Sequence, residues 1–405
     1  MGRDRGDAGQ FDPADFMKLE PSAWLDRPGI KRLLKALDAR SGTVRFVGGA
    51  VRDLLLDEEH ADLDLATTHS PQEVVRRLES AGIKAVPTGI EHGTITAVSS
   101  NTVVEVTSLR SDVSTDGRRA TVAFTDDWQQ DAARRDFTIN ALYADPFTGE
   151  LFDYYGGIDD LKSRTVRFIG DPLQRIAEDH LRILRYFRFH ARYGHGEPDP
   201  TAIAACCARA NDLMALSRER IADELLKLLA LADPTPTVRL MLGCNLFAPV
   251  LPEIQGADRL ATLVAAERDA AIPPDPIRRL AALLPPDPAL AEKVAARLKL
   301  SNKAKKRLSS AANADLGPGP KPLAYRLGTQ GALDRLLLAS RTDDAAAIHR
   351  WTPPRLPIGG GDLIGRGVAQ GPEVARTLRR IEDAWEAQGF PEGSAFERLV
   401  EEALR

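Results

Sequence analysis

The sequence predicts an α+β protein: a small mixed or antiparallel sheet with helices, followed by an all-helical remainder. Three observations predict it. The β-rich and period-two runs are confined to residues 43–109. From about 170 to 350 nearly everything reads as helix, broken at Asp233-Pro234, Pro273-Pro274, Pro285-Pro286 and Pro318. The chain has 405 residues, 43% hydrophobic and 28% charged, which suits a globular protein of several domains. The expected divisions are a polar arm (1–28), a mixed unit (29–150) and helical segments at 151–230, 231–350 and 351–405.

The elements follow in order. Thr43–Val47 is a short β-rich run ending at Gly48-Gly49, and Ala50–Leu56 is helical. Asp62-Leu63-Asp64-Leu65 alternates as a strand does. Ser70-Pro71 opens a helix with proline at its first position. Gly93–Ser99 and Thr102–Leu109 form a hairpin. Arg110–Asp127 is polar and weakly patterned, hence a long loop, and Trp128–Ala144 returns to helix. Further on, Trp351–Gly361 is a turn-rich linker and Val374–Gly389 a helix.

Composition excludes several classes. No apolar run approaches the ~20 residues of a membrane span. The polar, acidic start lacks the apolar core of a secretory leader. Three cysteines, two of them adjacent, offer no zinc-ligand spacing. A cytoplasmic enzyme without membrane partner or evident obligate protein partner is expected. Net charge is −4, yet Lys162–Tyr193 carries eight basic residues against three acidic, and Lys293–Arg307 carries seven basic residues. Either stripe could serve a polyanion or be a solvated helix face.

Asp62 and Asp64, two apart on a strand, present both carboxylates to one face. Hard oxygen ligands suit Mg²⁺, and two such ions about 4 Å apart can serve in-line phosphoryl displacement. Upstream, Gly48 and Gly49 stand between strand and helix, where a phosphate can approach the backbone, and Arg52 can add a charge-assisted contact. Arg52 and Asp53 could instead be a surface ion pair. Glu105 lies in the apolar strand Val103–Thr107, where a buried carboxylate needs a partner such as a metal; it could equally face solvent. Leu173, Ile176, Leu184, Phe187 and Ala191 mark a buried helical stripe. Asp179, Arg182, Arg185 and Arg188 step by three along that stretch and would form a slowly winding ridge. Asp179 and Arg182 could be an i,i+3 ion pair.

Taken together, RFVGGAVRD, ADLDLAT, EHGTITAV, VEVTSLR and DAARRDFTINAL resemble the class II nucleotidyltransferases, which include CCA-adding tRNA nucleotidyltransferases and bacterial poly(A) polymerases. The resemblance is strong over 29–230 and weak over 230–405. It implies a polymerase-β-like nucleotidyltransferase head followed by a helical neck, body and tail, the tail holding tRNA. It makes Asp62 and Asp64 the metal ligands, with Glu105 as an assisting carboxylate. It places Gly48, Gly49, Arg52, Arg135, Asp136 and Asn140 at the nucleotide, Asp136 being linked to the ribose. Arg134, Asp136 and Asn140 could otherwise be ordinary helix-surface residues.

EDHLR matches the family's EDxxR motif, in which Asp179 and Arg182 read the base while Arg185 and Arg188 contact the nucleotide. A carboxylate accepts from the exocyclic amine that cytosine and adenine share, and a guanidinium donates to the neighbouring acceptor. Guanine and uracil offer a carbonyl to the carboxylate instead. Leu216–Leu229 resembles a further family motif but reads as a bracing amphipathic helix.

The implied reaction is template-independent addition of CCA to tRNA from CTP and ATP with Mg²⁺. Thr88–Thr94 resembles the CCA-adding type and lacks the basic-aromatic segment of poly(A) polymerases. The long segment after VEVTSLR favours full CCA addition over a partial CC- or A-adding enzyme. A non-catalytic RNA-binding module is the alternative from another class, and the intact acidic and basic motif residues oppose it.

Overall fold

The computed structural model describes residues 19–58, 63–116 and 119–405. It divides into two compact units, Met1–Leu216 and Ser217–Arg405.

In the first unit the chain builds a sheet from β1 (Val44–Val47), β2 (Leu63–Thr67), β3 (Lys84–Gly89), β4 (Thr94–Ser99) and β5 (Thr102–Ser108). A separate hairpin, β6 (Arg110–Asp116) with β7 (Arg119–Phe124), comes next, and then β8 (Leu142–Ala144) and β9 (Leu151–Asp153) complete the sheet. The strand order is β3-β4-β5-β2-β1-β8-β9. Only β2 and β5 run parallel; the other neighbours are antiparallel. Strand β4 alternates half-buried and buried residues, so one face of this sheet packs and the other stays open.

The helices of this part are α1 (Ser22–Leu25), α2 (Ile30–Ala36), α3 (Gly49–Leu55) and α4 (Pro71–Ser80). Both α2 and α4 lie on β4, burying Ile30, Leu33, Leu34, Val74 and Leu78. The Ser70 hydroxyl caps α4 by accepting from the Glu73 amide at 3.3 Å, with Pro71 at the first turn as the sequence requires. Within the expected polar arm, residues 19–28 are packed down. Trp24 is fully buried, stacks on Phe46 at 4.4 Å and donates to the Pro146 carbonyl at 2.8 Å.

Two expectations from the sequence are corrected here. Arg110–Asp127 is largely the β6–β7 hairpin, with Asp116 paired to Arg119. The Asp116-Gly117 dipeptide is itself a strong hairpin signal between two strand-length runs. Trp128–Ala144 is not one helix. Asp127 caps α5 (Trp128–Ala133), a 3₁₀ turn covers Thr138–Asn140, and Leu142–Ala144 is a strand. All three residues of β8 are buried, and Tyr143 and Ala144 pair with β1, so sheet packing overrides local helix preference.

Helices α6 (Gly157–Lys162), α7 (Pro172–Glu178), α8 (Leu181–Tyr193) and α9 (Pro200–Ala208) follow. An aromatic column joins them to the sheet segment: Phe137 meets Phe168 at 5.0 Å and Phe189 at 5.2 Å, and Phe168 stacks on Tyr186 at 5.5 Å. Ile176, Leu184 and Phe187 are buried as the stripe predicts, but Leu173 is exposed and Ala191 only half-buried. Leu173 is cut off from the α8 part of the stripe by a break at Asp179, whose backbone is extended (φ −151, ψ 106). Residues before and after it therefore share no single helical period.

The second unit is helical throughout its regular elements: α10 (Arg218–Leu229), α11 (Thr235–Gly243), α12 (Asp258–Asp269), α13 (Pro276–Leu283), α14 (Pro288–Arg297), α15 (Asn302–Ala311), α16 (Pro320–Leu338), α17 (Thr342–His349), α18 (Gly360–Gly365), α19 (Pro372–Ala387) and α20 (Gly393–Leu404). Prolines fall in the first two positions of five of these helices (α11, α13, α14, α16 and α19), where a missing amide costs nothing.

An ion network lies in the interior of this unit. Glu267 accepts from Arg278 at 2.7 Å and Arg279 at 2.8 Å, all three being at most 2% exposed. Arg279 also donates to the Leu229 and Ala232 carbonyls, and Arg307 bridges Asp334 and Asp275. Ile358, Leu363, Ile381, Trp385, Phe396 and Val400 form a core among α18, α19 and α20. Among the described residues no helix is long and apolar enough to cross a membrane.

Candidate active site

The open sheet face carries the first feature. Asp64 on β2 is in register with Glu105 on β5, and Glu105 is in register with Thr96 on β4. Paired residues on adjacent strands project to the same side, so the two carboxyls are neighbours. Asp64 is half-buried and Glu105 exposed. The argument that Glu105 needs a partner because it is buried is therefore corrected, since register and not burial brings it to the site. Asp62 lies outside the described residues. Among the described residues no three His, Cys, Asp or Glu side chains are grouped to hold a metal. Two adjacent carboxylates are nonetheless the oxygen donors that Mg²⁺ prefers.

The glycine turn stands at the end of β1. Gly48 has φ 66 and ψ −122, a conformation that essentially only glycine adopts. Its amide donates to the Leu142 carbonyl at 3.0 Å. A Cβ at Gly48 would stand 3.5 Å from Arg135 Nη1 and 3.6 Å from the Asn140 carbonyl, and one at Gly49 would stand 3.5 Å from Arg52 Nη2. Gly48, Gly49, Arg52, Arg135 and Asn140, spread over 93 positions of sequence, are thus brought to one place.

Arg52 is buried, not a surface ion-pair member. Its Nε donates to Asp53 at 2.8 Å, Nη1 donates to Asn140 Oδ1 and Nη2 to the Tyr193 hydroxyl at 2.6 Å. Asn140 Nδ2 donates to Asp136 Oδ1 at 3.0 Å, and Asp136 Oδ2 accepts from Arg185 Nε at 2.7 Å. Asp136 and Asn140 are buried and so are not helix-surface residues. Burial would raise the Asp136 carboxyl, but Arg185, Asn140 and the Phe137 amide outweigh it and hold it below the usual range.

Arg135 lies against Tyr143 and pairs with Asp131 Oδ2 at 3.0 Å. Asp131 also accepts from Arg134 at 2.8 Å and from the Tyr143 hydroxyl at 2.7 Å. Its burial, which alone would raise its carboxyl, is overcome by Arg135 and Arg134, and it falls to about 2. Sequence reasoning missed Asp131, although its i,i+3 and i,i+4 spacing to the two arginines was visible. Tyr193, 141 positions from Arg52, left no signal.

The expected ridge of Asp179, Arg182, Arg185 and Arg188 is corrected by the break at Asp179. Asp179 sits between α7 and α8, accepting from the Leu181 amide at 3.1 Å, and only the three arginines share α8. Arg182 Nη1 pairs with Glu178 at 2.5 Å, and its Nη2 donates to the Arg134 carbonyl at 3.2 Å. Arg175 pairs with Glu178 at 2.5 Å and donates to the Arg135 carbonyl at 2.6 Å. The guanidinium of Arg188 lies 4.6 Å from the Phe189 ring centre.

Both basic stripes are largely spent on ion pairs. In the first, Arg167 pairs with Asp160, Arg185 with Asp136 and Arg192 with Glu58. In the second, Arg297, Lys299, Lys305 and Arg307 pair with Glu253, Glu219, Glu292 and Asp334, while Lys293, Lys303 and Lys306 are exposed.

The chain is 33% identical over 393 residues to the Homo sapiens CCA tRNA nucleotidyltransferase 1, mitochondrial, covering 89% of this chain and 87% of that protein. The chain belongs to the CCA tRNA nucleotidyltransferase family. Residues 44–167 match the poly A polymerase head domain, and residues 197–257 match the probable RNA and SrmB-binding site of polymerase A. A CCA-adding enzyme of Staphylococcus epidermidis is 38% identical over 201 residues, 49% of each chain. The crystal structure of the Bacillus stearothermophilus CCA-adding enzyme in complex with CTP is similar over 93% of this chain and 98% of that one, at 27% identity and TM-score 0.73. The family's fold, a polymerase head followed by helices, is the fold seen here.

Proposed function

We propose that this family member adds or rebuilds the 3′-terminal CCA of tRNA, using CTP and ATP without a nucleic-acid template. The observation that carries the reading is the convergence of Gly48, Gly49, Arg52, Arg135 and Asn140 at one turn of a head whose open face pairs Asp64 with Glu105. The similarity to CCA-adding enzymes supports it along most of the chain.

Asp62 and Asp64, with Glu105 beside Asp64, would hold Mg²⁺ through carboxylate oxygens. When bound, such ions activate the RNA 3′-hydroxyl for in-line attack on the α-phosphate and stabilise the departing pyrophosphate. Gly48 and Gly49 let the nucleotide approach the backbone. Arg52, Arg135, Arg185 and Arg188 supply positive charge, while Asp136 orients the ribose and Asn140 ties it to Arg52. Asp179 accepts from the exocyclic amine of cytosine or adenine, and Arg182 donates beside it. The fixed carboxylate rejects the carbonyls of guanine and uracil. The tail, 351–405, holds the outer part of the tRNA. Cytoplasmic location goes with this reading, and fractionation of cells carrying the tagged chain tests it against the mitochondrial location in the human relative's name.

The test is extension of a tRNA lacking its last three nucleotides, with Mg²⁺, CTP and ATP, resolved on a sequencing gel. Growth by three nucleotides, C before A, is expected. A long A ladder without CTP makes the chain a poly(A) polymerase, and arrest after two C makes it a partial enzyme. Binding of tRNA without extension overturns the enzymatic reading.

A further inference from the structure

We infer that Tyr193, on the last turn of α8, is a positioning residue for nucleotide binding that acts through Arg52; this rests on the nucleotide-transfer reading above.

The Tyr193 hydroxyl does two things at once. It accepts from Arg52 Nη2 at 2.6 Å and donates to Asp53 Oδ1 at 3.1 Å. Its ring lies under the same guanidinium, 4.1 Å from centroid to Cζ. Arg52 is thereby gripped from three segments: Asp53 in its own helix, Asn140 after the RRD motif and Tyr193 in α8. Tyr193 is 3% exposed and Arg52 6%, so water does not readily replace a lost contact. The grip lies next to the glycine turn, since a Cβ at Gly49 would come within 3.5 Å of Arg52 Nη2. Burial is the main cause that pushes the Tyr193 hydroxyl up to about 12, which keeps its proton available to Asp53 throughout the working pH range.

Arg52 belongs to the part of the site that both nucleotides share, whereas base choice is assigned to Asp179 and Arg182. A fault at Tyr193 should therefore weaken CTP and ATP alike. A purely structural tyrosine would lower stability without this signature.

The test uses the full chain with Tyr193→Phe, which keeps the ring and removes only the hydroxyl. The KM of CTP and of ATP should each rise about threefold to tenfold, less than the full worth of a hydrogen bond to a charged group because the lost bond acts on the nucleotide only through Arg52. The kcat and the C-over-U preference should hold. The CTP dissociation constant, measured by calorimetry with Mg²⁺ and no RNA, should rise by the same factor. In combination with Arg52→Lys the two losses should be less than multiplicative, because both act on one contact.

Unchanged dissociation constants in Tyr193→Phe, with or without a lower melting temperature, overturn the proposal, as do fully multiplicative losses. Asp53→Asn, which weakens the other partner of the same hydroxyl, provides a second variant with the same expected direction. A wild-type chain that binds CTP but leaves tRNA unextended overturns the reaction reading, while the calorimetric ratio still decides the role of Tyr193.

Discussion

Asp64 and Glu105 are paired neighbours on β2 and β5, the one parallel strand pair in the seven-stranded sheet. Parallel pairing sets equivalent positions side by side, so two carboxyls 41 positions apart share one open face. Asp64→Ala is expected to lower kcat for CMP addition about 10³-fold, the equivalent of several kcal/mol of transition-state charge stabilisation. Glu105→Gln should cost less, because Glu105 is exposed and flanks the pair. Single-turnover kinetics with truncated tRNA checks both, and wild-type rates in Asp64→Ala would remove it from the metal site.

Asp179→Ala should relax base choice more than it slows chemistry. The discrimination of CTP against UTP is expected to fall about tenfold to a hundredfold, the worth of one good base-edge contact. Competition between labelled CTP and UTP measures this ratio. An unchanged ratio removes Asp179 as base reader.

Gly48→Ala should destabilise the chain by about 1–3 kcal/mol, since a Cβ does not tolerate φ 66 with ψ −122. The loss should come with weaker CTP binding, because the turn lies beside Arg135 and Asn140. Urea unfolding and CTP titration of the same preparation separate the two effects.

Acid stability should report Asp131. Its folded carboxyl is depressed from 3.8 to about 2. A depressed carboxyl contributes stability above its unfolded value and loses it as pH falls toward the folded one. The contribution, about 2 kcal/mol by linkage, should vanish between about pH 4 and pH 2. Asp131→Asn should flatten that part of the stability curve and lower stability at neutral pH, because Arg134 and Arg135 lose their shared counter-charge.

In the second unit, Glu267→Ala leaves Arg278 and Arg279 buried without their shared carboxylate. A loss of about 3–5 kcal/mol is expected from breaking such a buried pair on one side. Chemical denaturation checks it, and a loss below 1 kcal/mol would mean that Asp334 and the Leu229 and Ala232 carbonyls suffice for the two arginines.

Much of the head was legible because its strands announce themselves by alternation and its glycine turn by composition. Thr102–Ser108 and Pro71–Ser80 lie where the pattern places them. The failures have particular physical causes. Leu142–Ala144 becomes a strand only because β1 offers it an edge, which no local window contains. The break at Asp179 interrupts a segment whose apolar spacing reads as continuous helix. The motif residues were visible as types, but their partners were not: Tyr193 reaches Arg52, and Arg185 reaches Asp136, only through the fold.

One earlier feature limits how this protein can be taken apart. Arg175 and Arg182 fasten α7 and α8 to the main-chain carbonyls of Arg134 and Arg135, and Arg185 and Tyr193 reach into the same motifs. A fragment cut near residue 150 would leave those carbonyls without these donors and strip Arg185 from the Asp136 carboxylate. Chimaeras with relatives should therefore exchange residues 44–193 as one cassette. Swapping the sheet alone would graft the glycine turn without its clasp.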